Sequence, residues 1–222
     1  MLERLRGGLL VSVQADAGSV LEAPEAIALL ARCAAANGAA GVRIEGSERT
    51  AAVRAAIELP IVGIVKRTHP GVEPYITSTV NEVAEIAAAG ADIVAFDATL
   101  RPHARATTTA QLVAAAHACG AAAMADCATF ADVAAATLAG ADIVATTLAG
   151  YTAETKALPL PALELVAAAA AHHPFAVCEG GIATPADARA AFEAGAHAIV
   201  VGTAITNVDA LVRRFVAAVP RF

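Results

Sequence analysis

The sequence predicts an α/β fold of the (β/α)8 class, with a single TIM barrel spanning residues 1–222. The first observation is a repeated phrase, in which an alanine-rich stretch ends in glycine and a β-branched run follows. Residues 90–95 read GADIVA, residues 140–145 repeat that string, and residues 195–200 read GAHAIV. Glycine ends helices because it adopts the left-handed conformation without steric cost, whereas Val and Ile favour strands. Copies about fifty residues apart match two successive βα units.

The second observation is an alternation of eight short apolar runs with eight helical stretches. The predicted strands lie at about 9–13, 41–44, 61–65, 92–96, 121–125, 142–145, 175–178 and 198–201. The predicted helices begin near residues 24, 47, 79, 107, 129, 161, 185 and 207, and Thr184 before Pro185 is a typical helix start. The strand runs are continuously apolar, as expected of strands covered on both faces. An open doubly wound sheet is disfavoured because no GxGxxG motif follows the first strand.

Composition excludes several classes of protein. The 222 residues carry 15 basic and 21 acidic side chains, a net charge of −6, so no basic face is available for nucleic acid. No apolar run reaches the length of about eighteen residues that a membrane span needs, and the charged start does not resemble a signal peptide. The four cysteines are scattered without a CxxC pair, which predicts buried thiols in a reducing cytoplasm.

Polar residues stand where the predicted strands end, and barrels of this class carry their chemistry at the C-terminal ends of the strands. The residues at or just after these ends are Gln14, Arg43, Lys66, Arg67, Asp97, Asp126, Thr146, Thr147, Glu179 and Gly202. The opposite strand ends receive mostly Gly and Ala. The sequence therefore predicts a working face at the C-terminal end of the barrel.

Lys66 and Glu179 are the candidate catalytic residues. The chain holds two lysines and thirteen arginines, and Lys66 directly follows an apolar strand, whereas Lys156 lies in a polar loop typical of a surface. Lysine, unlike arginine, can lose its proton when burial and a neighbouring cation lower its pKa, and can then act as a base or a Schiff-base nucleophile. Glu179 stands between an apolar strand and a glycine turn, where a carboxylate has few structural uses.

The other candidates carry structural alternatives. Asp97 and Asp126 are candidate substrate ligands, although aspartate also caps helices and turns. Arg43 is expected either to clamp the substrate or to pair with a carboxylate such as Asp97. Glycines after the seventh and eighth strands place backbone N–H groups where such barrels bind phosphate. The predicted phosphate site consists of Gly180, Gly181, Gly202 and Thr203.

No spacing of His, Cys or carboxylates marks a metal centre, and no motif indicates a cofactor, so neither is expected.

Several strings together resemble the N-acylglucosamine-6-phosphate 2-epimerase family, also called the N-acetylmannosamine-6-phosphate 2-epimerases, nearly end to end. The most specific are GIVKR at 63–67 and TTLAGYT at 146–152. The others are LVSVQA at 10–15, GVR at 41–43, PIV at 60–62, DAT at 97–99, MAD at 124–126, EG at 179–180 and VGTAIT at 201–206.

The resemblance implies an isomerase of amino-sugar metabolism, within sialic acid catabolism, that inverts C2 of an N-acylated hexosamine 6-phosphate. Its proton-transferring lysine and glutamate correspond to Lys66 and Glu179. Substrate ligands are then expected at Gln14, Arg43, Asp97, Asp126, Thr147 and Tyr151. We also expect a homodimer, a cytoplasmic location, and no cofactor. Three positions depart from the family's usual residues: Gly181 stands for Arg, Glu45 for Asn and Val13 for Cys.

Three alternatives stay open at this point. Lys66 could form a Schiff base, as in aldolase-type barrels. The chain could instead resemble ribulose-phosphate epimerases or decarboxylases, which rely on carboxylates with a metal. Finally, the replacements at 181 and 45 leave room for a barrel that binds a phosphosugar without turning it over.

Overall fold

A computed structural model describes residues 1–220 and shows a closed barrel of eight parallel strands in the order β1 to β8. The predicted (β/α)8 fold is therefore confirmed. Pairing of β1 with β8, with Leu10 opposite Val200, closes the ring. The strands are β1 Leu9–Val13, β2 Gly41–Glu45, β3 Ile61–Ile64, β4 Ile93–Asp97, β5 Ala122–Asp126, β6 Ile143–Ala145, β7 Ala176–Glu179 and β8 Ala198–Val201.

One helix follows each strand. The helices are α1 Pro24–Ala36, α2 Ser47–Arg54, α3 Val80–Ala88, α4 Thr109–Ala118, α5 Phe130–Leu138, α6 Leu163–His172, α7 Pro185–Glu193 and α8 Val208–Ala218. Four of them begin with a capping box. In each, the hydroxyl of the threonine before the helix accepts from the backbone N–H of the third helical residue, and the side chain of that residue accepts from the threonine N–H. The caps are Thr79, Thr108, Thr129 and Thr184.

The repeated phrase marks helix-to-strand turns, as predicted. Gly90, Gly140 and Gly195 have φ angles of +100°, +84° and +102°, which lie in the left-handed region. The apolar residues after these glycines fill two layers, one inside the barrel and one between the strands and the helices. Local sequence therefore positions each βα unit.

Several boundaries differ from the prediction. Asp97, Asp126 and Glu179 are the last residues of their strands rather than the residues that follow them. Arg43 is the third residue of the five-residue strand β2 and is buried inside the barrel. Helix α6 begins at Leu163, later than predicted.

The thiols also differ in part from the prediction: Cys127 and Cys178 are buried, but Cys33 and Cys119 are exposed on helix surfaces. All four are free thiols. None of the helices within residues 1–220 has both the length and the apolar character needed to cross a bilayer.

Candidate active site

The two-residue repeat of a strand explains how polar side chains converge above the barrel. Apolar residues inside the barrel, such as Ile64 of β3 and Val177 of β7, lie two positions before a polar strand-end residue. Side chains two residues apart point to the same face of a strand. Strand-end residues placed in this way over the barrel axis are Gln14, Lys66, Thr147, Glu179 and Gly202, and all five line one cavity.

This cavity has a volume of about 640 Å³ and opens at the C-terminal ends of the strands. Its floor includes the apolar side chains of Ile64 and Val200, and its walls come from the loops after β1, β3, β6, β7 and β8. Both tyrosines of the chain, Tyr75 and Tyr151, stand in its walls. The size suits a small organic ligand.

Arg43 organises the buried side of the site. Its guanidinium donates to both oxygens of Asp126, with Nη1–Oδ1 at 3.1 Å and Nη2–Oδ2 at 2.6 Å, and also to Glu179 Oε2 at 3.0 Å. Burial disfavours the charge on Arg43, but Asp126 and Glu179 outweigh that cost and raise its pKa. The Thr147 hydroxyl donates to Asp126 Oδ1 at 2.6 Å and lies 3.3 Å from Glu179 Oε2. One oxygen of Glu179 is therefore held by protein.

The second oxygen of Glu179, Oε1, has no hydrogen-bond partner within residues 1–220, and the residue lines the cavity. Burial raises the pKa of Glu179 to about 7, with Asp126 adding to the rise and Arg43 opposing it. A carboxyl group of this kind is protonated in a sizeable fraction of molecules near neutral pH, and can donate a proton to a bound ligand.

Lys66 occupies the opposite side of the cavity mouth. Its Nζ donates to Gln14 Oε1, and Gln14 Nε2 donates in turn to the Ser12 hydroxyl at 2.7 Å. Part of the Lys66 side chain is exposed to solvent. Desolvation of its amine by the surrounding residues lowers the pKa of Lys66, and the charge of Arg43 lowers it further. The second cation considered from sequence, Arg67, points elsewhere and pairs with the carboxylates of α3.

The loops after β7 and β8 form a wall rich in backbone donors. Gly180, Gly181, Gly202, Thr203 and Ala204 all line the cavity. Within the described part of the chain, the N–H groups of Gly181, Thr203 and Ala204 donate to no protein acceptor. Unpaired backbone N–H groups in loops that line one cavity are typical of phosphate sites.

Gly181 is restricted by its surroundings as well as by its backbone. Its φ is +76°, and a Cβ atom placed there would lie 2.3 Å from the Leu160 Cβ. The arginine usual in the resembling family is thus incompatible with this backbone.

We expect Gly181→Ala to lower the free energy of unfolding by about 2–4 kcal/mol, from left-handed strain together with the clash. Gly120→Ala is the matched control, since Gly120 has the same φ of +76° and no atom within 4 Å of its added Cβ. Its cost should be about 1 kcal/mol. Urea denaturation measures the free energy of unfolding of both variants. Equal losses in the two variants would contradict a contribution from the clash with Leu160.

Several residues considered from sequence do not line the cavity, among them Asp97, Asp126 and Glu45. Asp97 binds Thr99 and Arg101 instead, with Oδ2 2.7 Å from Arg101 Nη2. Asp126 lies beneath the cavity behind Arg43. Glu45 pairs with Arg49, accepts from the Lys66 backbone N–H at 3.4 Å and does not line the cavity. Direct substrate binding by Asp97 and Asp126 therefore stays a prediction.

Sequence reasoning missed six polar residues of the cavity wall: Ser12, Asp16, Tyr75, Thr206, Asn207 and Arg214. Ser12 could have been found, because it precedes Gln14 by the two-residue strand repeat. Tyr75 lies in the long loop after β3, and Asn207 and Arg214 belong to the start and middle of α8. Their approach to the cavity depends on tertiary packing.

No three His, Cys, Asp or Glu side chains within residues 1–220 come together in a way that could hold a metal ion. The expectation that the reaction needs neither metal nor cofactor stays a prediction. The groups of the cavity best suited to proton transfer include the amine of Lys66 and the carboxyl of Glu179, whose pKa is raised.

A closed (β/α)8 barrel with an amine and a carboxyl over one cavity defines the class of TIM-barrel proteins built for proton transfer on a small molecule. The family model described as "Putative N-acetylmannosamine-6-phosphate epimerase" matches residues 27–221. The chain belongs to this family.

Individual relatives agree with the family model. A Synechococcus elongatus protein named "Putative N-acetylmannosamine-6-phosphate 2-epimerase" is 47% identical over 98% of this chain and 95% of its own length. A Yersinia pestis protein of the same name is 42% identical over 93% of this chain and 87% of its own. The solved structure of the N-acetylmannosamine-6-phosphate 2-epimerase from Clostridium perfringens superposes with a TM-score of 0.94 at 34% identity, covering 99% of this chain and 96% of that one.

Proposed function

We propose that the protein interconverts N-acyl-D-mannosamine 6-phosphate and N-acyl-D-glucosamine 6-phosphate by removing and returning a proton at C2. The observation that carries this proposal is the placement of Lys66 and Glu179 in the walls of one cavity, beside a wall of free backbone N–H groups. The names of the relatives support the choice of substrate.

Burial moves the pKa values of Lys66 and Glu179 toward each other, and in both cases it is the largest cause of the shift. Arg43 and Asp126 neutralise one another through two hydrogen bonds. Lys66 and Glu179 then hold one exchangeable proton between them, either on the amine or on the carboxyl. The pKa of Lys66 is lowered and that of Glu179 is raised, so both shifts favour the free amine with the protonated acid. A free amine is a base and a protonated carboxyl is an acid, as epimerisation at one carbon requires.

In the proposed reaction the C1 carbonyl of the open-chain sugar acidifies the C2 proton. Lys66 takes this proton, and the electron pair of the C2–H bond moves toward the carbonyl to form an enolate. Glu179 delivers its proton to C2 from the opposite face, which gives the other epimer. Exchange with solvent then removes a proton from Lys66 and returns one to Glu179, which resets the enzyme. Gln14, which contacts Lys66, and the phosphate wall hold the sugar so that C2 lies between the two groups.

The direct test is to incubate the protein with N-acetylmannosamine 6-phosphate and follow the appearance of N-acetylglucosamine 6-phosphate. We expect conversion in either direction to one equilibrium mixture. Absence of conversion, in protein that is folded and binds the product, would support the phosphosugar-binding barrel instead.

The enzymatic alternatives find no support in the comparisons, whose named relatives are 2-epimerases. Each still has a distinct experimental signature. Borohydride with substrate would trap a Schiff base on Lys66 as a covalent adduct. Loss of activity in EDTA would indicate the metal-dependent chemistry of a ribulose-phosphate epimerase relative.

The pH dependence of the rate tests the electrostatics of the site. The charge of Asp126 raises the pKa of both Lys66 and Glu179. Asp126→Asn should therefore move both limbs of a bell-shaped kcat/KM profile to lower pH, whichever limb belongs to which group. Glu73→Gln is the control, because Glu73 is an exposed partner of Arg101 and should leave the profile in place. A profile that Asp126→Asn leaves unmoved contradicts this account.

We further propose that the protein is a cytoplasmic homodimer. The four free thiols support a reducing compartment. Helix α8 supports association, because its apolar residues spaced for one helix face are left exposed: Val208, Val212, Phe215, Val216 and Val219. Sedimentation equilibrium of the full chain gives the oligomeric state directly.

A further inference from the structure

Three cationic side chains line the cavity, and only one of them has no assigned partner or role. They are Arg43, Lys66 and Arg214. Arg43 is held by Asp126 and Glu179, and Lys66 is the proposed base in contact with Gln14. Arg214 makes no ion pair or side-chain hydrogen bond within residues 1–220, and it is solvent-exposed. It is therefore the cation in this cavity that is available to a charged ligand.

Helix α8 turns a defined face toward the cavity. The cavity-lining residues of this segment are Asn207, Ala210, Leu211 and Arg214, whose spacing of three, four and seven residues places them on one side of the helix. Asp16 of the loop after β1, which also lines the cavity, holds the helix in this orientation, because its carboxylate accepts from Arg213 at 2.6 Å and from Asn207 at 2.9 Å. Arg214 therefore faces the cavity because the helix is anchored in that rotation.

A cation such as Arg214 complements the wall of backbone donors. The free N–H groups of Gly181, Thr203 and Ala204 can donate to phosphate oxygens, but they are neutral and leave most of the dianion's charge uncompensated. Helix α8 begins only four residues after Ala204, so Arg214 is carried by the element that continues this wall. A guanidinium can donate two parallel hydrogen bonds to a phosphate.

We propose that Arg214 of helix α8 binds the phosphate group of the substrate and is the counter-ion of the phosphate site formed by the loops after β7 and β8. This inference rests on the proposed sugar-phosphate substrate and adds a residue that recognises its phosphate. Arg214 acts in binding and takes no part in proton transfer at C2.

The test compares Arg214→Gln and Arg214→Lys with wild type and with Arg189→Gln. Arg189 is the matched control, because it is an exposed helical arginine that has no ion pair within the described residues and does not line the cavity. Calorimetry measures binding of inorganic phosphate and of N-acetylglucosamine 6-phosphate, and steady-state kinetics gives KM and kcat for N-acetylmannosamine 6-phosphate.

We expect Arg214→Gln to weaken binding of both ligands and to raise KM by about 10- to 100-fold, as for loss of a charge-assisted contact, with a smaller change in kcat. Arg214→Lys should recover part of the affinity, and Arg189→Gln should stay within about twofold of wild type. Unchanged phosphate binding by Arg214→Gln would overturn the inference while leaving an active wild type, and thus the proposed function, intact. Conversely, a wild type that binds phosphate through Arg214 but converts no substrate would overturn the proposed function alone.

Discussion

Replacing Lys66 by arginine or Glu179 by glutamine should reduce epimerisation by about 10²- to 10⁴-fold and stop exchange of the C2 hydrogen with solvent. Arginine keeps the positive charge but cannot give up its proton, and glutamine keeps the shape of Glu179 without a transferable acidic proton. In deuterium oxide, wild-type turnover should place deuterium at C2, and proton magnetic resonance of the product measures it.

Ligand binding provides the control for these two variants. Neither side chain belongs to the phosphate wall, so both proteins should bind N-acetylglucosamine 6-phosphate within a few-fold of wild type. Retention of the original C2 hydrogen in wild-type product would rule out proton transfer at this carbon. Full activity of Lys66→Arg would remove Lys66 from the role of base.

The largest loss of stability is expected from Arg43→Met. Arg43 and Asp126 are 1% and 0% exposed, so removing the guanidinium leaves a buried carboxylate without its counter-ion. Breaking a buried pair in this way lowers the free energy of unfolding by about 3–5 kcal/mol. Urea denaturation measures the loss at neutral pH.

The pair of Arg213 with Asp16 is the matched control for this effect. Both pairs have an Nη2–Oδ2 distance of 2.6 Å, but the side chains of Arg213 and Asp16 are 64% and 39% exposed. Arg213→Met should cost less than about 1 kcal/mol because water screens the exposed pair. The double variant Arg43→Met with Asp126→Asn should recover part of the loss, since the buried charge of Asp126 is removed together with its counter-ion. Equal losses for the two single arginine variants would show that burial does not control the effect.

The same buried pair shows where sequence reasoning reached its limit. Arg43 and Asp126 were both recognised as polar residues near strand ends, and the expected partner of Arg43 was a carboxylate such as Asp97. The structure pairs Arg43 with Asp126 and Glu179, and it gives Asp97 to Arg101. Strands β2 and β5 lie across the barrel from one another, and a list of strand ends does not say which side chains meet inside the ring.

Gly181 and Glu45 show that the identity of a residue does not by itself give its effect on the site. In the sequence alone, they are departures from the family's usual residues and left open a barrel that binds a phosphosugar without turning it over. In the structure Gly181 is required by the nearby Leu160, and Glu45 pairs with Arg49 and does not line the cavity. The effect of each replacement therefore depends on a neighbouring residue: Leu160, which is distant in sequence from Gly181, and Arg49, which is four residues after Glu45.

The sequence by itself determined the barrel, because its signals are local: threonine caps, glycine helix ends and β-branched runs recur in every few tens of residues and require only short-range physics. It also determined which strand ends carry an amine and a carboxyl, since a two-residue strand repeat and a closed parallel ring bring those ends together. Only the tertiary structure decided that Arg43 binds Asp126 from 83 residues away and that α8 directs Arg214 into the cavity. Ion pairing and helix rotation depend on distances through space, which the order of residues along the chain does not contain.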